Sequence, residues 1–356
     1  MYLKGIGFKV VVNFCVCSML QCSNFGVTPS ARDASSQTYP VREFQKGMCY
    51  VSWERDKYRS AFSDESLERL AALGTEWVSM VVTWYQEDAF STEIAPSENT
   101  PSDESLRHAI ARARELGLKV MLKPHVDLAA SSLGSWRGDI CQRTEAERDA
   151  WFERYCSFIL HYAGLASETD ADMLCVGTEL SLTSEWTEYW EGIIAAVRTV
   201  YCGPLTYAAH WDGEYQKIQF WPQLDYIGID AYFPLTDKDK PSLNDIKLGW
   251  KKWINVLEPW ALAIGKPVIF TEIGYSSACG AARFPWEEKL AGNPDTEIQK
   301  RCYRAFFETV CGKEWLAGVY WWKWNTNVQA GGACNKGFTP QNKPAETVLA
   351  QWYQRR

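Results

Sequence analysis

Eight short apolar runs, each separated from the next by a longer stretch of different texture, constrain this chain more than any other feature. The runs cover 46–53, 77–84, 118–126, 173–179, 204–211, 225–233, 267–275 and 316–324. They are dense in Val, Ile, Leu, Met and Phe and do not alternate cleanly with polar residues, as expected of strands covered on both faces. Between them, apolar residues recur at helical spacing over 66–73, 104–116, 145–165, 186–200, 248–264 and 297–310. Pro101-Ser102-Asp103-Glu104 and Thr144-Glu145 read as helix starts. Gly117, Gly203 and Gly265 each stand between a helical segment and a strand, where a C-cap belongs. Strands alternating with helices imply a parallel sheet, and eight strands close a barrel. The rival is an open doubly wound sheet, whose nucleotide-binding form needs a Gly-rich turn after the first strand. Val51-Ser52-Trp53 stand there instead. No linker interrupts 43–356, so the expectation is one α/β domain, a (β/α)8 TIM barrel.

Active sites of such barrels lie at the C-terminal ends of the strands. Those ends read Trp53; Trp84-Tyr85-Gln86; Lys123-Pro124-His125-Val126-Asp127; Gly177-Thr178-Glu179; His210-Trp211-Asp212; Asp230-Ala231-Tyr232; Thr271-Glu272; and Trp322-Lys323-Trp324. Aliphatic residues fill the strand interiors, and polar or aromatic ones gather where each strand stops. Two of the four histidines, His125 and His210, fall at these ends.

Glu179 and Glu272 follow the apolar runs Met173-Leu174-Cys175-Val176 and Val268-Ile269-Phe270, where a solvated surface glutamate has no reason to sit. Cleavage of a glycosidic bond needs two carboxyl groups, one to protonate the leaving oxygen and one to attack or to activate water. Burial raises a carboxyl pKa while opposite charges and hydrogen bonds lower it, so two such groups can be driven to different protonation states. A metal-dependent barrel hydrolase would want a His pair ending strand one, and there is none. A Schiff-base aldolase would want Lys ending strand six, where Asp230 and Tyr232 stand. Lys123 ends strand three and keeps a lysine-based lyase open. A barrel that binds glycans without cleaving them is the remaining alternative. No metal and no cofactor is implied.

The chain resembles the retaining glycosidases of clan A, and within them glycoside hydrolase family 113, whose best-known members are β-1,4-mannanases. The segments that carry the resemblance include "MLCVGTELS", "LDYIGIDAYFPL", "KPVIFTEIGYSS", "GVYWWKW" and "GFTPQNKPAETVL", within 46–352. The likeness implies Glu179 as acid/base, Glu272 as nucleophile, Tyr232 as hydrogen-bond donor to the nucleophile, and Trp322 or Trp324 as floor for the reacting sugar. Many clan members carry Asn directly before the acid/base to bind the sugar 2-hydroxyl. Here Thr178 takes that position, leaving His210 or Lys123 as candidates for the contact. A β-1,4 linkage in mannan is the expected target, with β-glucan or another β-hexoside as alternative.

Eighteen Trp residues are unusual for this length. Most belong in a core, but aromatic rings also stack on the apolar faces of sugars. Trp53, Trp84, Trp136, Trp211, Trp322 and Trp324 lie at or just beyond strand ends, enough to floor several subsites of an open cleft. Lys123, His125, Asp127, Arg137 and Asp230 are candidates for directional bonds to hydroxyls. A net charge of −7 and the lack of any Lys/Arg block argue against a nucleic-acid partner. A glycan is the expected partner and a monomer the expected state.

Residues 1–22 read as an export signal: Lys4 and Lys9, an apolar stretch from Val10 to Leu20 too short for a membrane span, then Gln21-Cys22-Ser23. Met19-Leu20-Gln21-Cys22 resembles a loose bacterial lipobox with Cys22 as the lipidated residue, which would attach the protein to a membrane and give it an extracytoplasmic address. Residues 23–42, rich in Ser, Thr and Ala, read as a flexible tether. Cys49, Cys156, Cys175 and Cys302 fall inside expected elements as small hydrophobes. Cys279 and Cys334 fall in loops expected to be neighbours, and a disulfide between them is an expectation. If Cys22 carries lipid, the mature protein should partition into detergent, and Cys22→Ser should abolish that partition. Finding residues 1–21 intact on protein from the native cell would refute cleavage.

Overall fold

The computed structural model describes residues 43–129 and 134–355. The expected export signal, the lipidation site Cys22 and the tether lie outside the described residues. Eight strands, β1 (Gln45–Val51), β2 (Trp77–Gln86), β3 (Lys119–Leu128), β4 (Met173–Thr178), β5 (Leu205–His210), β6 (Ile227–Asp230), β7 (Val268–Ile273) and β8 (Leu316–Asn325), form the sheet. They pair parallel in chain order, and β8 closes on β1. The protein is a (β/α)8 barrel.

The helices are α1 (Ala61–Ala72), α2 (Asp103–Glu115), α3 (Glu145–Glu168), α4 (Thr187–Arg198), α5 (Glu214–Lys217), α6 (Leu243–Ile264), α7 (Thr296–Thr309) and α8 (Pro344–Tyr353). Their starts are chemically specified. Ser60 and Ser102 accept from the backbone N–H three residues on, and Thr144 with Glu147 and Ser242 with Asp245 make reciprocal caps. Gly265 closes α6 at φ +72° and Gly117 follows α2 at φ +78°, a backbone that costs other residues about 1 kcal/mol or more. Gly203 does not cap α4, which already stops at Arg198. Helices α5 and α8 are the two the periodicity did not single out.

Two apolar layers hold the barrel. A small one inside it joins Cys49, Val81, Met121, Met173, Cys175, Ile269 and Tyr320. A large one lies between strands and helices and takes in Trp151, Trp190, Trp250 and Trp321, all fully buried. Because strand side chains alternate between faces, a residue's parity decides which layer it joins.

Parity corrects two expected sugar platforms. On β2, Val81 points inward, so Trp84 points out and packs against Phe158, His161 and Tyr162 of α3 at ring separations of 5.3, 5.8 and 6.1 Å. On β8, Tyr320 points inward and Trp322 follows on the same side. There the register slips, four residues of β8 (Trp321 to Trp324) facing three of β1 (Met48 to Tyr50). This bulge turns Trp324 outward, where it is fully buried and donates to Ser66 Oγ at 2.9 Å. Neither ring can meet a ligand on the barrel axis.

The expected disulfide is also absent. Cys279 and Cys334 are free thiols, Cys279 being turned toward the carbonyl of Asp239 at 3.4 Å. Among the described residues no helix is long and apolar enough to cross a membrane.

Trp324→Ala should lower stability by about 3–5 kcal/mol, the range for emptying a buried tryptophan site. Trp53→Ala, at a ring 36% exposed, should cost about 1 kcal/mol or less. Denaturant midpoints compare the two, and equal losses would refute the assignment of Trp324 to the core.

Candidate active site

The C-terminal mouth of the barrel holds a cavity of about 770 Å³, within the range of small-molecule sites. Glu179 and Glu272 both line it, with His210 and Tyr232 beside them and Trp136, Trp211, Trp286 and Trp322 forming walls.

Glu272 reaches the cavity through a second bulge. Ile269 points inward, so strict alternation would send Glu272 toward the helices with Phe270. Between β6 and β7 the register shifts, Ile229 facing Phe270 but Asp230 facing Glu272, and the extra residue re-aims the carboxylate. Its Oε1 accepts from Lys123 Nζ at 2.5 Å and its Oε2 from the Tyr232 hydroxyl at 2.7 Å. Lys123 is wholly buried and also donates to Asp230, at 3.1 and 3.3 Å. Burial alone would lower the lysine pKa, but Asp230 and Glu272 outweigh it and hold the ammonium protonated. Asp230 is pushed well up by burial and by Glu272, with Lys123 and the 2.8 Å bond from Thr271 Oγ1 opposing.

His125 stands on the other side of Glu272, its Nε2 3.8 Å from Oε1. Arg137 Nη1 lies 2.9 Å from His125 Nδ1. A guanidinium can only donate, so Nδ1 accepts and the proton sits on Nε2. Burial, Arg137 and Lys123 together drive the imidazole pKa well down, which keeps the ring neutral. Arg137 is itself held by Asp127 Oδ2 at 2.9 Å, and its Nη1 comes within 4.0 Å of Glu179 Oε2.

Glu179 follows β4 with φ +51°, a left-handed backbone uncommon for a non-glycine residue. Its N–H donates to the Ala208 carbonyl at 2.8 Å, and its Oε1 lies 2.9 Å from His210 Nδ1. Burial would raise this carboxyl, but the His210 bond and the charges of His210, Arg137 and Lys123 hold it below its usual range. Burial would lower His210, and the bond to Glu179 raises it instead. The 2.9 Å bond thus joins a carboxyl held low to an imidazole held high. The two glutamates have different partners: Glu272 is tied to a fixed cation and Glu179 to a titratable one.

Residues 48–343 match glycoside hydrolase family 113. The chain belongs to glycoside hydrolase family 113. It is a glycoside hydrolase. A solved GH113 β-1,4-mannanase superposes with a TM-score of 0.79 at 29% identity, covering 88% of this chain and 100% of that one. GH113 β-mannanase AaManA from Alicyclobacillus acidocaldarius does so with 0.79 at 28%, covering 88% and 98%. A β-glucuronidase from Ruminococcus gnavus shares the fold, with a TM-score of 0.59 at 14% identity over 88% of this chain and half of its own. A search among curated proteins finds no match.

Several residues expected to bind substrate lie elsewhere in this glycosidase. Lys123 and Asp230 expose no side-chain surface and serve Glu272 from beneath the cavity floor. Thr178 is buried, its hydroxyl 3.9 Å from Cys175 Sγ. His125, 2% exposed, lies under the floor with its ring parallel to Trp322 at 6.5 Å. Trp53 sits beside Trp322 at 6.4 Å with the Lys323 ammonium over its ring. Trp136 packs on His210 at 4.6 Å and Trp211 stacks on Trp286 at 5.1 Å. Sequence reading missed Trp286, Phe338 and Glu288 on the cavity wall, and Glu214 behind it. The first three come from loops with no periodicity to mark them.

Lys123→Met should destabilise the fold by about 3–5 kcal/mol, because Asp230 and Glu272 lose their shared cation in a buried setting. The double variant Lys123→Met/Asp230→Asn should recover part of that loss. Chemical denaturation of the three proteins checks the order, and a double variant no better than the single would contradict it.

Proposed function

We propose that this family member is a retaining endo-β-1,4-mannanase in which Glu272 is the nucleophile and Glu179 the acid/base. The observation that carries the reading is the contrast between the two carboxyl groups on one cavity. Lys123 and Tyr232 each donate to one oxygen of Glu272 and so fix both, as a nucleophile requires. Glu179 is joined to His210, a group able to hold or return a proton.

In the resting cleft the shared proton favours His210, leaving a charged pair. A sugar chain that displaces water favours the neutral pair, because charges are costlier in a dry site. The proton then moves to Glu179, which gives it to the glycosidic oxygen as Glu272 bonds to the anomeric carbon. In the second half, Glu179 takes a proton from water, and the hydroxide attacks the anomeric carbon and frees Glu272. Two displacements return the original β configuration.

The mannan identity is supported by the family and by similarity to proteins named β-1,4-mannanases. The endo mode is supported by four tryptophans along one cavity, more than a single sugar needs. With an export signal read in residues 1–22, the enzyme would meet its polymer outside the cytoplasm.

The test compares mannohexaose with cellohexaose. Mannohexaose should be cut faster, internally, with the β-anomer appearing first by NMR. Faster cleavage of the glucan would discard the mannan reading, and a first-formed α-anomer the retaining one. Glu272→Ala should lose several orders of magnitude in turnover and, with azide and an activated aryl glycoside, yield the α-glycosyl azide. Glu179→Ala should yield the β-azide and hurt poor leaving groups most. Near wild-type activity on polysaccharide in either variant would overturn the roles.

A further inference from the structure

Glu214 is a carboxyl group with almost no exposure, 3% of its surface, and among the described residues no cation is bonded to it. It opens the short helix α5, four residues beyond His210. Its Oε1 accepts from the Tyr207 hydroxyl at 2.6 Å; its Oε2 accepts from the His210 backbone N–H at 2.6 Å and from Ser181 Oγ at 3.2 Å. The Tyr207 hydroxyl in turn accepts from the backbone N–H of Leu180 at 2.9 Å. One carboxylate thus grips both ends of the Glu179–His210 pair. Through Tyr207 it holds the peptide directly after Glu179, and through its other oxygen it holds the backbone of the histidine.

This grip matters because Glu179 occupies left-handed backbone, a conformation that persists only where surroundings over-determine it. The N–H groups on either side of its carbonyl are both engaged, one by Ala208 of β5 and one by Tyr207 of β5. Removing the hydroxyl would free one of the two, and removing the carboxylate would leave that hydroxyl without the acceptor that aims it.

We infer that Glu214 is the positioning residue of the acid/base, fixing the backbone of Glu179 and of His210 and keeping negative charge behind their shared proton. The inference rests on the reading of Glu179 as acid/base. Charged and titratable groups face this cluster from every side. Tyr207 and His210 come from β5, Glu179 from the end of β4, Asp212 from the loop before α5, Arg137 from the loop after β3, and Tyr155 from α3 behind Tyr207. Burial lifts the Glu214 carboxyl to about 7, with the Tyr207 and His210 bonds opposing. Above that pH it is ionised, the form its three donors suit. A negative charge there makes the His210–Glu179 proton harder to lose. Removing it should therefore move the alkaline limb of activity to lower pH.

The test uses Glu214→Gln and Tyr207→Phe in the full-length enzyme, with a mannooligosaccharide and a dinitrophenyl glycoside as paired substrates. Both variants should lose about tenfold to a hundredfold in kcat on the oligosaccharide, part of what a general acid supplies, and about threefold or less on the aryl glycoside, which needs no protonation. Glu214→Gln should also shift the alkaline limb of kcat/KM downward, whereas Tyr207→Phe, which keeps the charge, should leave it in place. Equal losses on both substrates with the parental limb would reduce Glu214 to a fold-stabilising group and overturn the inference. NMR titration of His210 gives a readout independent of turnover, in which Glu214→Gln should lower its pKa. If the parent cleaves no β-glycan, the glycosidase reading fails, and this titration alone decides, an unmoved His210 refuting the coupling. If Glu214→Gln does not fold, Tyr207→Phe carries the test through its substrate pair.

Discussion

The contact between the Lys123 ammonium and the carboxylates of Asp230 and Glu272 governs the centre of this protein. Removing an ion from water costs several kcal/mol even after relaxation, and a buried pair repays this only with good geometry and further hydrogen bonds. Here the lysine meets Glu272 at 2.5 Å and Asp230 at 3.1 Å, Thr271 donates to Asp230, and Tyr232 donates to Glu272. Every partner comes from a different strand end or its neighbour, so the ion cluster also registers β3, β6 and β7 against one another. Burial and aim are coupled in it: the cation that makes the buried carboxyl groups tolerable is the one that holds Glu272 in place.

The opposite wall of the cavity works differently. Glu179 has no fixed cation in direct contact, Arg137 standing off at 4.0 Å. Its close partner is His210, whose charge can change, and behind both lies Glu214, which no cation among the described residues contacts. The carboxyl on this side meets a partner whose charge can change, while Glu272 meets a lysine held protonated. Two carboxyl groups in one barrel mouth are thus given different partners by the fold and not by residue type.

Much of this was legible in the sequence. Eight apolar runs with glutamates ending the fourth and seventh implied the barrel and its two central carboxyl groups, because burial on both faces keeps the strands largely apolar below the mouth. The roles of Lys123 and Asp230 were not legible. Both were expected at strand ends, as sugar-binding residues would be, but Lys123 lies midway along β3 and Asp230 at the end of β6, and both are deeper than Tyr232 and His210. Trp84 and Trp324 misled for a related reason: a strand end marks height along the barrel and does not say which face a side chain takes.

By itself the sequence determined the order and number of the strands, the caps that start the helices, and the placing of reactive residues at one end of the barrel. These follow from local periodicity and turn chemistry, which act within a few residues. Which side chains look inward was decided only by the tertiary structure. Two one-residue register slips, opposite Met48–Tyr50 and Ile229–Asp230, turn Trp324 out to the helices and Glu272 in to the axis. A bulge depends on how one strand meets another across the sheet, so no single strand carries its signal. Glu214 belongs to the same class: it opens an unremarkable short polar helix, and its three-donor grip exists only once β4 and β5 stand side by side.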